Sequence, residues 1–149
     1  ALQHGAHGHA GEVGHMVVQA DGDACPCGQR GCWERYASGA GLSQLAGGIA
    51  GEELIDRARG GDNASLQVLD KYSTWVALGL ANIANMSDPD TIVIGGGVME
   101  NADILLPRIQ ERFATMLYAP SHRVHPVLKS AQLGERAGAI GAALLHLHD

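Results

Sequence analysis

The sequence has little of three features that would point to particular classes of protein. Only 4% of its residues are aromatic, so the core must pack mainly on aliphatic side chains, with 21 glycines allowing close backbone approach. No apolar run approaches the roughly 18 residues of a membrane-spanning helix, which predicts no membrane partner. Positive charge is scarce too, since 10 Lys and Arg against 16 Asp and Glu give a net charge of −6, which argues against a nucleic-acid surface.

Cysteine is also scarce, but its three copies lie together, as Cys25, Cys27 and Cys32 of a glycine-rich segment. Three thiolates and one imidazole form a ligand set typical of a structural, tetrahedral zinc site. The candidate nitrogen ligands lie upstream: His4, His7, His9 and His15. A disulfide is the alternative, but the odd count leaves one thiol over and a Cys25–Cys27 bridge would be strained. The cluster therefore predicts bound Zn²⁺, and metal-binding thiolates favour a reducing, cytoplasmic location.

The positions of glycines and the spacing of apolar residues predict a loop region followed by three helices in the first 86 residues. Residues 1–36 predict a loop region built around the metal, with an extended piece at 16–18. Ser38 is placed to begin a helix that runs to about Ala46, and 52–59 predicts a second one. Asp62 or Asn63 then begins a long helix that ends near residue 86. Its buried face is predicted from apolar residues three and four apart: Leu69, Tyr72, Val76, Leu80 and Ile83.

The last 60 residues alternate strand and helix. The continuous apolar run at 91–94 predicts a strand buried on both faces of a parallel sheet. A helix at 102–117, a strand at 123–128 and a helix at 137–147 follow, the last with Gly138 and Gly141 on a face suited to close packing. This order predicts an α/β layer, although two strands are too few for a complete sheet, which favours a partner segment.

Two signature segments resemble the ROK family of sugar kinases and repressors. They are residues 10–15 (AGEVGH) and residues 25–39 (CPCGQRGCWERYASG), and the WERYASG form is most similar to bacterial ROK glucokinases. Blocks at 90–98 and 133–143 agree, so the resemblance covers nearly the whole chain. It implies an actin-like, ribonuclease H-like kinase domain of the hexokinase type. Residues 1–149 would be its C-terminal portion, with the zinc and sugar loop at 1–36 and the nucleotide side at 37–149.

The resemblance also implies what this chain does not contain. The family's kinases carry an Asp-x-Gly-Gly-Thr phosphate loop, an Asn-Asp-x-Asn segment with the catalytic aspartate, and a Gly-Thr-Gly-x-Gly turn. None of these occurs here. No catalytic residue is therefore assigned to this chain, and we expect the isolated segment to be inactive. The N-terminal half of the same protein would be its partner.

Residue roles follow from the matched positions. His15, Cys25, Cys27 and Cys32 would hold the zinc ion, and Glu12, His15 and Glu34 would bind the sugar. The implied partners are ATP with Mg²⁺, glucose or a related hexose, and a second copy in a homo-oligomer such as a dimer. N-acetylmannosamine, fructose and allose remain open as sugars. The sugar-sensing domain of a ROK repressor is the alternative function.

Residues 95–97 (GGG) form the candidate nucleotide-facing turn. They follow the predicted buried strand and precede a helix, so bare backbone could approach adenosine or phosphate closely. Glycines also serve ordinary strand-to-helix turns, and the resemblance is what favours Gly95, Gly96 and Gly97 as ATP contacts. Glu100 and Asn101, just beyond, are further candidates.

Overall fold

The computed structural model describes residues 4–144 as an α/β arrangement of six α-helices and two strands. The elements in chain order are α1 (Glu34–Ala37), α2 (Gly39–Leu45), α3 (Gly51–Arg59), α4 (Asn63–Ser87), β1 (Thr91–Ile94), α5 (Ala102–Met116), β2 (Val127–Ser130) and α6 (Ala137–Leu144). Three 3₁₀ turns complete them: Val13–His15, Gly97–Asn101 and Gly134–Arg136. No helix within residues 4–144 is both long enough and apolar enough to cross a membrane.

Residues 4–33 form the loop region that the sequence predicts. Its regular structure is limited to the first 3₁₀ turn and two isolated antiparallel bridges, Val17 with Cys32 and Ala24 with Arg30. The loop crosses itself closely at Gly31, which has φ +72°, and a Cβ there would lie 1.8 Å from the carbonyl oxygen of Gln19. Only glycine satisfies both conditions.

Helices α2 and α4 begin where their capping residues stand. The Ser38 hydroxyl accepts a hydrogen bond from the Gly41 N–H at 3.2 Å, and the Asp62 carboxylate accepts one from the Ser65 N–H at 2.9 Å. Asp62, rather than Asn63, is therefore the N-cap of α4. Hydrogen bonds from the Ser65 hydroxyl and backbone lower the pKa of the Asp62 carboxyl.

The core is built around α4, which shares one buried cluster with α2, α3 and α5. The predicted face of α4 is buried at Leu69, Tyr72, Val76 and Leu80, while Ile83 is half-buried. The apolar residues that α5 and its C-terminal end bury are Leu105, Ile109, Phe113 and Leu117. Spacings of three and four place these side chains on one stripe of each helix, so the two stripes share one core.

The parallel pairing predicted for the sheet is confirmed, with Thr91 opposite Val127 and Ile94 opposite Ser130. The sheet departs from the prediction in the burial of its first strand and in the start of its second. The first strand is not buried on both faces. Ile92 and Ile94 pack against the helical core, whereas Val93 is 61% exposed because no described element covers its face.

The second strand begins at Val127 rather than at Arg123. The Arg123 guanidinium bonds to Asp88 and, at 3.1 Å, to the Asn85 side chain, which holds this segment against the end of α4. Pro126 also lacks the N–H that a ladder position needs. These contacts keep residues 123–126 outside the sheet.

Helix α6 was predicted to run to residue 147, but residues 145–147 lie outside the described part. The expected close packing of its small residues is wrong within residues 4–144. A Cβ added at Gly138 or Gly141 would meet no atom within 4 Å, because the described elements leave this face of the helix open.

Candidate metal centre and adjoining cavities

Short-range hydrogen bonds bring the cysteines together. The Gly28 N–H donates to the Cys25 carbonyl at 3.0 Å, and the Cys25 N–H donates to the Gln29 carbonyl at 2.9 Å. Gly28 takes φ +94°, which glycine adopts without strain. The resulting turn carries Cys25 and Cys27, and the Val17–Cys32 bridge brings Cys32 and the chain from His15 to the same place.

The four predicted metal ligands form one cluster. One ligand atom each from His15, Cys25, Cys27 and Cys32 lies within 4.8 Å of all the others. The Sγ atoms of Cys27 and Cys32 are 3.6 Å apart, and Cys25 Sγ lies 3.7 Å from His15 Nδ1. A tetrahedral zinc ion, with Zn–S about 2.3 Å and Zn–N about 2.0 Å, places its ligand atoms about 3.5–3.8 Å apart. The donor set and the 3.6 Å and 3.7 Å separations fit zinc.

The cysteines of this cluster differ in exposure and in acidity. Cys32 is fully buried and Cys25 is 5% exposed, while Cys27 is exposed. The Cys27 N–H lowers the pKa of Cys25, but burial and a hydrogen bond to Glu34 outweigh it and raise that pKa to about 12. Burial also raises the pKa of Cys32, whereas the Gln29 N–H lowers that of Cys27. Without a cation, two of the three sulfurs therefore favour the neutral thiol.

Two carboxylates flank the imidazole of His15. Its Nδ1, which faces the sulfurs, lies 3.6 Å from Glu34 Oε1, and its Nε2 lies 3.9 Å from Glu12 Oε2. Glu34 Oε1 also accepts from the Cys25 thiol at 3.1 Å. The Glu12 and Glu34 side chains remain 70% and 42% exposed. The structure thus brings together the three residues assigned to sugar binding, with oxygens open to a ligand.

The other upstream histidines stand apart from this arrangement. His4, His7 and His9 are exposed, and none belongs to the metal-type cluster found among residues 4–144. His15 differs from them because the 3₁₀ turn Val13–His15 ends at it and aims the chain toward the Cys32 bridge. The geometry therefore favours His15 as the nitrogen ligand.

The Gly95–Gly97 turn lines two cavities. One, of about 270 Å³, lies between this turn, Tyr72 and the Ala37–Gly39 segment. The other, of about 410 Å³, adds α3 residues and the predicted Glu100 and Asn101. Gly96 takes φ +98° with open space beside it. The turn therefore exposes bare backbone to both cavities, as close approach of a nucleotide requires.

Two features of the site region were missed from the sequence. Glu52, in the first turn of α3, lines the second cavity, and only folding brings it to Gly97. Trp33, between Cys32 and Glu34, packs on α4 at Gly79. A glycine inside a long helical pattern is a signal that another group approaches the helix closely. Gly79 could therefore have revealed the contact with Trp33. A separate cavity of about 820 Å³ near Asn85 and Tyr118 contains none of the predicted site residues.

A model of the ROK family matches residues 1–149. The chain belongs to the ROK family. A glucokinase of Streptomyces coelicolor is 32% identical to it over 164 residues, which cover 95% of this chain and 52% of that protein. A xylose repressor of Bacillus spizizenii is 31% identical over 144 residues, covering 94% and 37% respectively. A kinase and a repressor are thus both similar to this chain.

Solved structures agree with the family assignment. A ROK glucokinase from Streptomyces griseus, crystallised with glucose and AMPPNP, superimposes with a TM-score of 0.90 at 35% identity. The match covers 97% of this chain and 54% of that one. The chain therefore spans about half the length of the glucokinases it matches and has the fold of the corresponding part of a ROK kinase.

Proposed function

We propose that this chain is the C-terminal portion of the actin-like kinase domain of an ATP-dependent hexose kinase, a glucokinase that converts glucose and ATP to glucose 6-phosphate and ADP. The observation that carries the proposal is the grouping of Glu12, His15 and Glu34 against a zinc-type cysteine cluster. The segment would supply sugar recognition, a structural zinc ion and part of the nucleotide site.

Sugar binding would use acceptors that the metal loop holds in place. A pair of carboxylates can accept hydrogen bonds from neighbouring hydroxyls and so orient a neutral polyol. Glu12 and Glu34 lie on opposite sides of the His15 ring, at the distances given above. Bound zinc would take His15 Nδ1 and the three sulfurs, and it would fix the backbone on which both glutamates ride. His15 Nε2 would remain available to the sugar.

Nucleotide binding would use the Gly95–Gly97 side. The two cavities there share Gly97 and Val98 and together offer open backbone next to the Glu100 and Asn101 side chains. ATP would bind there with Mg²⁺, although no residue of this chain is proposed as a magnesium ligand. Phosphoryl transfer depends on positioning and on a base for the attacking hydroxyl.

The complete reaction needs groups that this chain does not contain. The base and the phosphate loop implied by the ROK resemblance have no counterpart among its 149 residues. We therefore propose that the N-terminal half of the same protein supplies them. Loss of a general base alone typically lowers the rate by about 10²–10⁴-fold, so the isolated chain should form no measurable glucose 6-phosphate.

Two further parts of the proposal concern the protein's setting. ATP consumption and metal-binding thiols are both suited to the cytoplasm, in glycolysis. A homo-oligomer, with a dimer as the simplest form, is also proposed, and sedimentation of the complete protein would test it.

A sugar-sensing ROK repressor is the second candidate, favoured by the similarity to the xylose repressor. Both functions would use the same sugar-binding loop, so this segment alone does not separate them. The Trp33–Tyr36 form and the presence of both Glu12 and Glu34 support the kinase. Failure of the complete protein to phosphorylate any hexose that it binds would favour the repressor.

The test is a steady-state assay of the complete protein with ATP and four sugars: glucose, N-acetylmannosamine, fructose and allose. We expect the highest kcat/KM with glucose. A higher value with another sugar would correct the substrate. Absence of binding to all four sugars, measured by calorimetry, would reject the sugar-site assignment.

A further inference from the structure

Trp33 connects the metal loop to the longest helix. It stands between Cys32, a fully buried metal-ligand candidate, and Glu34, a sugar-binding candidate. Its indole Nε1–H donates to the backbone carbonyl of Trp75, in the middle of α4, at 2.7 Å. This hydrogen bond fixes the direction of the ring as well as its position.

The surface of α4 is shaped to receive that ring. A Cβ added at Gly79 would lie 2.0 Å from Cε2 of the Trp33 indole and 2.3 Å from Cδ2. Glycine is unfavourable inside a helix, and any larger residue here would displace the indole. The contact therefore depends on two positions 46 residues apart, Trp33 and Gly79.

Tyr36 makes a second connection to the same place. Its ring stacks on that of Trp75, with centroids 4.5 Å apart and an interplanar angle of 23°. Its hydroxyl accepts a hydrogen bond from the Asp23 N–H at 2.8 Å, two residues before Cys25. A Cβ at Gly22 would lie 2.2 Å from that hydroxyl, so the loop is closely fitted around it. Tyr36 thus ties the loop ahead of Cys25 to α4.

We propose that Trp33, Tyr36 and Trp75 form an aromatic clasp whose role is positioning. Trp33 and Tyr36 hold Cys32 and Glu34 in place against α4, so that metal ligand and carboxylate keep their mutual geometry. Helix α1 has only four residues, and an isolated helix of that length is unstable in water. Its orientation must therefore come from tertiary contacts, and the clasp supplies them on both sides of Glu34.

The clasp also makes a direct spectroscopic prediction. The chain contains only two tryptophans, and both belong to the clasp. Metal binding that orders Cys32 should therefore change the environment of Trp33, its sequence neighbour. We expect zinc titration of the metal-free protein to change the intensity or wavelength of tryptophan emission, with the same midpoint as metal binding.

The experiment compares Gly79→Ala with Gly141→Ala. Both changes add one methyl group to a helical glycine, but within residues 4–144 the added carbon at Gly141 would meet nothing within 4 Å. Zinc affinity is measured by competition with a chromophoric chelator, and site geometry is measured from the visible absorption of Co²⁺ in place of zinc. Changes to residues that orient metal ligands typically weaken metal binding by about 10- to 100-fold. We expect a loss of that size for Gly79→Ala and none for Gly141→Ala.

Trp33→Phe provides a second variant in case Gly79→Ala does not fold, as judged by circular dichroism. It keeps a ring on α4 but removes the N–H donor, and we expect weaker zinc binding and an altered Co²⁺ spectrum. Wild-type zinc affinity and wild-type Co²⁺ spectra in either folded variant would overturn the clasp as a positioning device.

The part of the inference that concerns Glu34 rests on the proposed function. In the complete protein, Tyr36→Phe removes only the hydroxyl that holds Asp23. We expect it to raise the KM for the sugar while the KM for ATP is unchanged. An unchanged sugar KM would overturn this part. If the wild-type protein phosphorylated no sugar, the proposed function would fail, whereas the zinc measurements would still decide the clasp.

Discussion

The cysteine loop and helix α4 are held in place by different forces. Within residues 4–33 the buried side chains are Cys25 and Cys32, both metal-ligand candidates. Helix α4 buries a full apolar stripe that includes Leu69, Val76 and Leu80. Burial of apolar area can order α4, but it is insufficient for the loop. We infer from this comparison that the core depends on packing, and we propose that the loop depends on a metal cross-link and on the aromatic clasp.

Metal removal should produce the largest difference between the two regions. We expect a strong chelator to abolish amide-exchange protection in residues 13–33 while α4 and α5 remain protected, because their core contains no metal ligand. Hydrogen exchange followed by mass spectrometry would measure this, with zinc added back as the control. Equal loss of protection in both regions would contradict the division, and so would the absence of zinc from protein purified without chelators.

The reverse experiment weakens the core alone. Leu69 is fully buried on α4, and Leu→Ala changes at such sites typically cost about 2–5 kcal/mol. We expect Leu69→Ala to lower the free energy of unfolding in urea by that amount while leaving zinc content unchanged. Met86→Ala is the matched control, since Met86 lies on the same helix and is 74% exposed. A zinc loss in folded Leu69→Ala would show that core packing away from the Trp75 and Gly79 contacts also determines metal binding.

The two carboxylates proposed to bind the sugar should affect substrate binding without affecting either region's stability. Hydrogen bonds to charged groups contribute about 1.5–3 kcal/mol, so Glu12→Gln and Glu34→Gln should each lower kcat/KM for glucose by roughly 10- to 150-fold. The KM for ATP and the zinc content should stay unchanged, since neither residue is proposed as a metal ligand. Steady-state kinetics of the complete protein, with each substrate varied separately, would measure this. Unchanged glucose kinetics would mean that both residues are ordinary solvated residues of the loop with no part in sugar binding.

The same contrast explains which features the sequence could predict. Helix α4 was predictable because apolar spacing and the Asp62 cap act locally. The cysteine cluster was predictable because metal-ligand chemistry restricts residue type and spacing, although His15 was chosen among four histidines by its match to a family motif. The 3₁₀ turn and the bridge that bring His15 to the sulfurs depend on the fold.

The features that the sequence did not predict depend on contacts between residues far apart in the chain. The delayed start of β2 depends on the Arg123–Asp88 ion pair, which joins residues 35 apart in sequence. The exposure of Val93 depends on which elements cover the sheet, and a run of apolar residues carries no such information. The clasp requires Trp33 to meet Gly79, although the glycine inside the helix was a visible signal.

The smallest expected effect concerns the cap of α4 and its dependence on pH. Hydrogen bonds from Ser65 lower the pKa of the Asp62 carboxyl below its usual value of 3.8 in the folded protein. A group with a lowered folded-state pKa stabilises the protein above its unfolded pKa, and this contribution is lost as the pH falls through the folded value. Asp62→Ala should therefore destabilise the core at pH 6, by less than Leu69→Ala does, and the difference from wild type should shrink toward pH 3.

Asn63→Ala is the control for this last comparison, because Asn63 is the first residue of α4 and does not titrate. Its effect on urea unfolding should be the same at both pH values. The loop should be unaffected by either change, since Asp62 contacts Ser65 at the opposite end of α4 from the sheet and contacts none of the metal ligands. A pH-independent effect of Asp62→Ala would mean that the carboxylate charge contributes nothing to the cap, and that the hydrogen bond alone carries it.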